Sequence, residues 1–137
     1  MVNFIKPYLV LIMGFTLSCS KTNSLEFGKS QMKDLEKVEG SPLEVQTAPD
    51  LKSKIYTYND NLKYQIRNNE VVARFRQPSN AEEKYLVFWQ NRFKNCPYKI
   101  IQHQFSEIEL RCEKKGVSVF YTSEDHLISR IVEYEKK

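Results

Sequence analysis

Leu62-Lys63-Tyr64-Gln65-Ile66-Arg67, Asn68-Asn69-Glu70 and Val71-Val72-Ala73-Arg74-Phe75-Arg76 form the stretch that decides the fold. Apolar and polar residues alternate on both sides of an Asn-Asn pair, which is the period-two pattern of strands with one face buried. Asn tolerates the left-handed backbone of a tight hairpin, so the pair reads as a turn between antiparallel strands. Leu62, Tyr64 and Ile66 with Val71, Ala73 and Phe75 then make the apolar face. Lys63, Gln65, Arg67, Arg74 and Arg76 are left for the opposite face, with neighbours along each strand two residues apart. These five are the candidate binding surface: either a recognition platform or the solvated side of a sheet.

Outward from the hairpin, residues 55–58 read as a third strand, joined through Asn59-Asp60-Asn61. Ser30 is placed to cap a short helix carrying Met32, Leu35 and Val38, and Gly40 with Pro42 supplies its stop. A loop containing Pro49 follows. Ser79 and Glu82 form a capping-box pattern ahead of a second helix, whose apolar stripe runs Leu86, Trp89, Phe93 and Cys96 until Pro97 ends it. Residues 99–103, 107–112, 117–122 and 127–134 then read as strands. A shift of about 55 positions sets Pro97 on Pro42, Ile100 on Val45 and Val117 on Leu62, a repeat in pattern more than in identity. The fold class expected is α+β, with two tandem helix-plus-antiparallel-meander units and helices packed on antiparallel sheet. The units span 27–78 and 79–137.

The N-terminus gives the location. A basic start (Met1, Lys6) precedes an apolar run from Tyr8 to Leu17 and then Thr16-Leu17-Ser18-Cys19. An apolar core of about 10 residues is too short to cross a bilayer as a helix. The segment resembles a bacterial lipoprotein signal, in which the cysteine after a small residue is lipidated and becomes the mature N-terminus. The resemblance implies loss of residues 1–18, a lipid on Cys19 and a tether over 19–26; an ordinary cleaved signal is the alternative. Ser20, with no Asp in that place, resembles the sorting rule for outer-membrane release. Cleavage removes only Lys6 among charged residues, so the net charge of +4 falls by one.

Assigning Cys19 to the lipid leaves Cys96 and Cys112 as a candidate disulfide in an oxidising compartment, or as two buried thiols. Charge is uneven. Residues 51–100 hold ten Lys or Arg against four acids, whereas from 101 onward six bases face seven acids. Such a middle favours an anionic partner or lipid headgroups, or is a solvated face.

Phe27-Gly28-Lys29-Ser30, Gly40-Ser41-Pro42, the tyrosines Tyr56 and Tyr58, the Tyr64-Ile66 strand and Val71-Val72 resemble the small outer-membrane assembly lipoproteins of the SmpA/OmlA (BamE) type, over residues 27–76. The resemblance carries Gly28, Ser30, Gly40 and Pro42 over as turn and cap positions. A tandem of two such units resembles β-lactamase inhibitor protein. These resemblances imply a periplasm-facing lipoprotein that acts by contact in outer-membrane protein assembly or envelope integrity; the alternative is a periplasmic or secreted inhibitor-like protein that covers a partner enzyme.

Catalysis finds little in the residues. His103 and His126 are isolated and lack metal-ligand spacing, and no glycine-rich loop or paired-carboxylate pattern accompanies the cysteines. Trp89 and Phe93 belong to the core, with Tyr85 and Phe88 extending the apolar surface around the helix. The chain is read as a non-enzyme without cofactor or metal, held to the membrane by its N-terminal lipid. Its expected partner is an envelope protein and not a nucleic acid.

Overall fold

Glu44–Thr47 (β1), Ser53–Asn59 (β2), Leu62–Arg67 (β3) and Glu70–Arg76 (β4) form an antiparallel meander, and so do Lys99–Gln102 (β5), Glu107–Cys112 (β6), Val117–Thr122 (β7) and Ile128–Tyr134 (β8). This computed structural model describes residues 24–137; the signal segment and Cys19 lie outside the described residues. Asn68 and Asn69 both take positive φ, at 51° and 65°, in the β3–β4 turn. Antiparallel pairing of β4 with β8, Ala73 opposite Tyr134 and Arg76 opposite Ile131, joins the halves into one eight-stranded sheet in the order β1-β2-β3-β4-β8-β7-β6-β5.

The expected α+β class with two tandem helix-plus-meander units, and the tandem architecture carried by the inhibitor resemblance, are therefore corrected. The protein is mostly one antiparallel sheet, with two short helices, α1 (Met32–Glu39) and α2 (Leu86–Arg92). The physical reason is edge pairing. β4 and β8 would each present unpaired backbone N–H and C=O groups if two separate sheets formed, and pairing with each other satisfies them. Alternation within a segment carries no record of that long-range contact.

Helix details differ as well. Ser30 caps nothing: its Oγ accepts the Glu26 N–H at 2.9 Å, while Asp34 accepts the Gln31 N–H at 2.9 Å at the start of α1. The expected Ser79–Glu82 box is replaced by a single 3-10 turn, Glu82–Lys84, ahead of α2. There Asn80 Oδ1 accepts the Glu83 N–H at 2.9 Å, and Ser79 donates from both N and Oγ to Glu83 at 2.8 Å. β1 stands where a plain loop was expected. All four of its residues are exposed, so burial left no alternation to read.

The core lies on one face of the sheet in two clusters. Leu35 of α1 meets Tyr64, Ile66 and Val71; Trp89 and Phe93 meet Leu110, Val119, Tyr121 and Ile131. Trp89 buries its ring and donates Nε1–H to the Glu83 carbonyl at 2.8 Å, so its one polar atom is not left unpaired. Cys96 and Cys112 are joined in a disulfide, with Cα atoms 6.1 Å apart, which ties the segment after α2 to β6.

Candidate interaction surface

Strand register decides where the five basic-face residues go. Opposite residues in an antiparallel pair share a face, and Arg74 lies opposite Tyr64 while Arg76 lies opposite Leu62. A register shift places Val71 opposite Ile66 but Ala73 opposite Gln65, leaving Val72 as the extra residue of a bulge. Val71 and Ala73 therefore point to opposite faces. The bulge moves Arg74 and Arg76 onto the helix-bearing face, away from Lys63, Gln65 and Arg67, so the five do not come together.

On the helix-bearing face the two arginines form a charge network. Arg74 bonds Glu133, and Arg76 reaches Glu133 at 3.3 Å and grips both oxygens of Glu83 at 2.8 and 3.0 Å. The hydrogen bond from Arg76, with those from Ser79, holds the Glu83 carboxyl down at about 2. Burial opposes ionisation of Glu133, but Arg74 and Arg76 outweigh it and keep its carboxyl below the usual range. On the opposite face Gln65 donates to Ser53 Oγ at 2.7 Å and Arg67 to Asp50 at 2.7 Å, while Lys63 is exposed.

The opposite face of β6, β7 and β8 holds the arrangement that the sequence reading did not single out. Glu109, 2% exposed, accepts Arg111 Nε and Nη2 at 2.7 and 3.0 Å and bonds His103 Nε2 at 2.8 Å. Burial pushes its pKa up, and the hydrogen bonds from Arg111, Ser118 and His103 more than reverse that, leaving the group ionised. Beside it Arg130 lies over the Phe120 ring at 4.0 Å from the centroid, and Ser118 Oγ is 3.2 Å from the Tyr134 hydroxyl. Phe75, Phe120, Val132 and Tyr134 floor a cavity of about 420 Å³ here, with Arg130 and Lys137 at its lining. Neither core cluster draws on this face, so the cavity lies on the side of the sheet away from α1 and α2. Glu109 and Arg111, set between Ile108, Leu110 and Cys112, were the legible signal: polar residues at period two in an otherwise apolar strand.

The charged groups of this face bond one another. All of Glu109's bonding is taken up by donors, and His103 makes no other side-chain hydrogen bond among the described residues. His126 sits apart in the β7–β8 turn at positive φ. No group of three or more His, Cys, Asp or Glu among the described residues is placed to hold a metal ion. No helix among them is long and apolar enough to cross a membrane. A further cavity of about 530 Å³ lies where the N-terminal segment meets the sheet, lined by Leu25, Phe27, Gly116, Val117 and Glu133 among others.

The fold places the chain among proteins built on a single long antiparallel sheet. It is similar to the crystal structure of a DUF4309 family protein (YjgB) from Bacillus subtilis, at 13% identity and a TM-score of 0.53, over 82% of this chain and 83% of that one. At that identity the likeness is one of fold. No family model and no curated protein matches the chain.

Proposed function

We propose that this chain is an exported lipoprotein, lipidated at Cys19 and held at the bacterial outer membrane facing the periplasm. It works by contact with an envelope protein through the open face of its sheet, and not by catalysis. The observation that carries the reading is the cavity on that face, about 420 Å³ and floored by Phe75, Phe120, Val132 and Tyr134. Aromatic and aliphatic floors bordered by charged groups are the anatomy of contact surfaces, where buried apolar side chains supply affinity and rim charges fix register. The resemblance of residues 27–76 to small assembly lipoproteins adds outer-membrane assembly or envelope integrity as the process served.

The test is a crosslinking pull-down from native membranes with the intact chain and its Cys19→Ala form, both fed a fatty-acid analogue. Label on the intact form alone, with outer-membrane assembly proteins recovered, is the expected result. Label on neither form, with a soluble enzyme recovered, would replace the reading by that of a secreted inhibitor.

A further inference from the structure

Both edges of the sheet carry the same unpaired pattern. Ala48 N–H bonds the Ser53 carbonyl, and steps of two from that bonded pair make Gln46 with Ile55 and Glu44 with Thr57 the pairs that exchange bonds. Val45 and Thr47 therefore aim their N–H and C=O groups out of the sheet. At the other edge His103 N–H bonds the Glu107 carbonyl, and the same count turns Ile100 and Gln102 outward. Among the described residues no turn or loop bond takes up the backbone groups of these four. Such edges are ordinarily shielded by charge or by a covering element, yet here apolar side chains stand beside them. Leu43, Val45 and Leu51 are exposed along the β1 edge, and Tyr98, Ile100 and Phe105 along the β5 edge. They occupy equivalent places about 55 positions apart, and Leu51 and Phe105 share a positive φ, 57° and 58°.

The edges differ in charge. On the open face β1 carries Glu44 where β5 carries Lys99, both exposed, although Glu44 accepts the Gln46 amide and Lys99 stands 3.8 Å from Glu113. β1 and β5 run in opposite directions, because all seven neighbouring pairs of the eight-stranded order are antiparallel. A copy displaced sideways, its helices on the same side, thus sets its β5 antiparallel to β1 of the first. With Val45 opposite Ile100 of the next copy, the two exchange both backbone bonds and Glu44 lies diagonal to Lys99. Their side chains meet on the helix-bearing face, where Val45 stands opposite Tyr56 of one core cluster and Ile100 opposite Leu110 of the other. Two-fold pairing of either edge with itself, centred on the same residues, instead sets Glu44 diagonal to Glu44 or Lys99 to Lys99.

We propose that β1 of one copy of this chain adds to β5 of the next, so that copies join edge to edge in one continuing sheet. The occupant of each edge is a second copy because strand direction, helix side, apolar position and charge all match between β1 and β5. Since the joined surfaces differ, the contact is head-to-tail and builds an open row, not a closed pair. A pairing of two four-residue strands is small beside the area a stable interface buries, so the row forms where the chain is concentrated and parts on dilution. The open face and its cavity stay uncovered, and the joining is independent of the partner contact proposed above.

The test uses the full chain in expressing cells, with Val45→Cys and Ile100→Cys introduced singly and together, oxidised with copper phenanthroline and run on a non-reducing gel beside the parent chain. Opposite residues of a bonded pair have Cα atoms about 5.5 Å apart, within reach of a disulfide. Inside one molecule the two sites lie at opposite edges of the sheet, roughly 33 Å apart, so a bond between them joins two copies. The double variant is expected to give a ladder of dimers, trimers and larger species, at least fivefold above either single variant. Glu44→Lys in that background is expected to cut the ladder at least threefold, and Glu44→Lys with Lys99→Glu to restore it. Circular dichroism of each variant separates lost pairing from lost fold. No ladder from a folded double variant, equal dimers from a single variant, or a ladder that Glu44→Lys leaves unchanged would overturn the proposal.

Discussion

Glu83 is the residue on which local order around α2 turns. It is 8% exposed, yet its carboxylate is met by Arg76 and Ser79, its N–H by Asn80 and its carbonyl by Trp89. A buried charge with full bonding is stable, and the same charge stripped of partners is costly. Glu83→Gln is therefore expected to lower stability by about 1.5–3 kcal/mol in urea unfolding at pH 7. The pH dependence follows from the direction of the shifts. Glu83 is held at about 2 and Glu109 and Glu133 below their usual range, so each binds its proton less readily folded than unfolded. Their stabilisation is complete above the unfolded carboxylate pKa and is lost as pH falls from about 4.5 towards 2. Urea midpoints should be level from pH 6 to 5 and fall below that, with a shallower fall in Glu83→Gln. Tyr58 is the opposite case. Its hydroxyl is buried without a partner among the described residues, so Tyr58→Phe is expected to be neutral or stabilising by up to about 1 kcal/mol on the same assay.

At the scale of elements, strand positions were legible and strand phase was not. β3 and β6 fall where alternation put them, because each buries one face and exposes or bonds the other, and β7 falls in its expected place with both faces of its centre, Ser118 to Tyr121, buried. The bulge at Val72 inserts one residue, and from there on every side chain of β4 changes face relative to plain alternation. That is why Arg74 and Arg76 read as open-face residues and stand instead beside Tyr64 and Leu62. α2 was legible through Trp89 and Phe93, but it starts only at Leu86, behind the 3-10 turn Glu82–Lys84, where Glu83 and not Glu82 takes the bonds of Ser79. The element with the clearest stability consequence is the segment from α2 to β6. Its Cys96–Cys112 bond closes a loop with a sequence separation of 16, and loops of that size stabilise by about 3 kcal/mol. Adding a reductant should lower the unfolding free energy by about 2–4 kcal/mol, while Cys96→Ala should make the protein insensitive to reductant.

For the whole molecule, the sequence pattern carried two meanders but not their union. The β4–β8 pairing brings Ala73 to Tyr134 across the chain, and nothing in the alternation of either strand records that partner. The same union sets Phe75 beside Val132 and so builds the floor of the open face from both halves. The candidate surface was thus invisible to a reading taken one half at a time, even though Glu109, Arg111 and Phe120 each sat in a correctly placed strand. One sheet with its core on a single side leaves the other side uncovered by helices, and that side is the one on which the proposed contact depends. The direct measurement is photo-crosslinking in native membranes from single benzophenone positions. Arg130 and Lys63 would report the open face, and Val38 and Val87, exposed on α1 and α2, the helix side. One dominant protein adduct is expected from Arg130 or Lys63, and none from Val38 or Val87. Adducts from the helix side alone, with none from the open face, would contradict it.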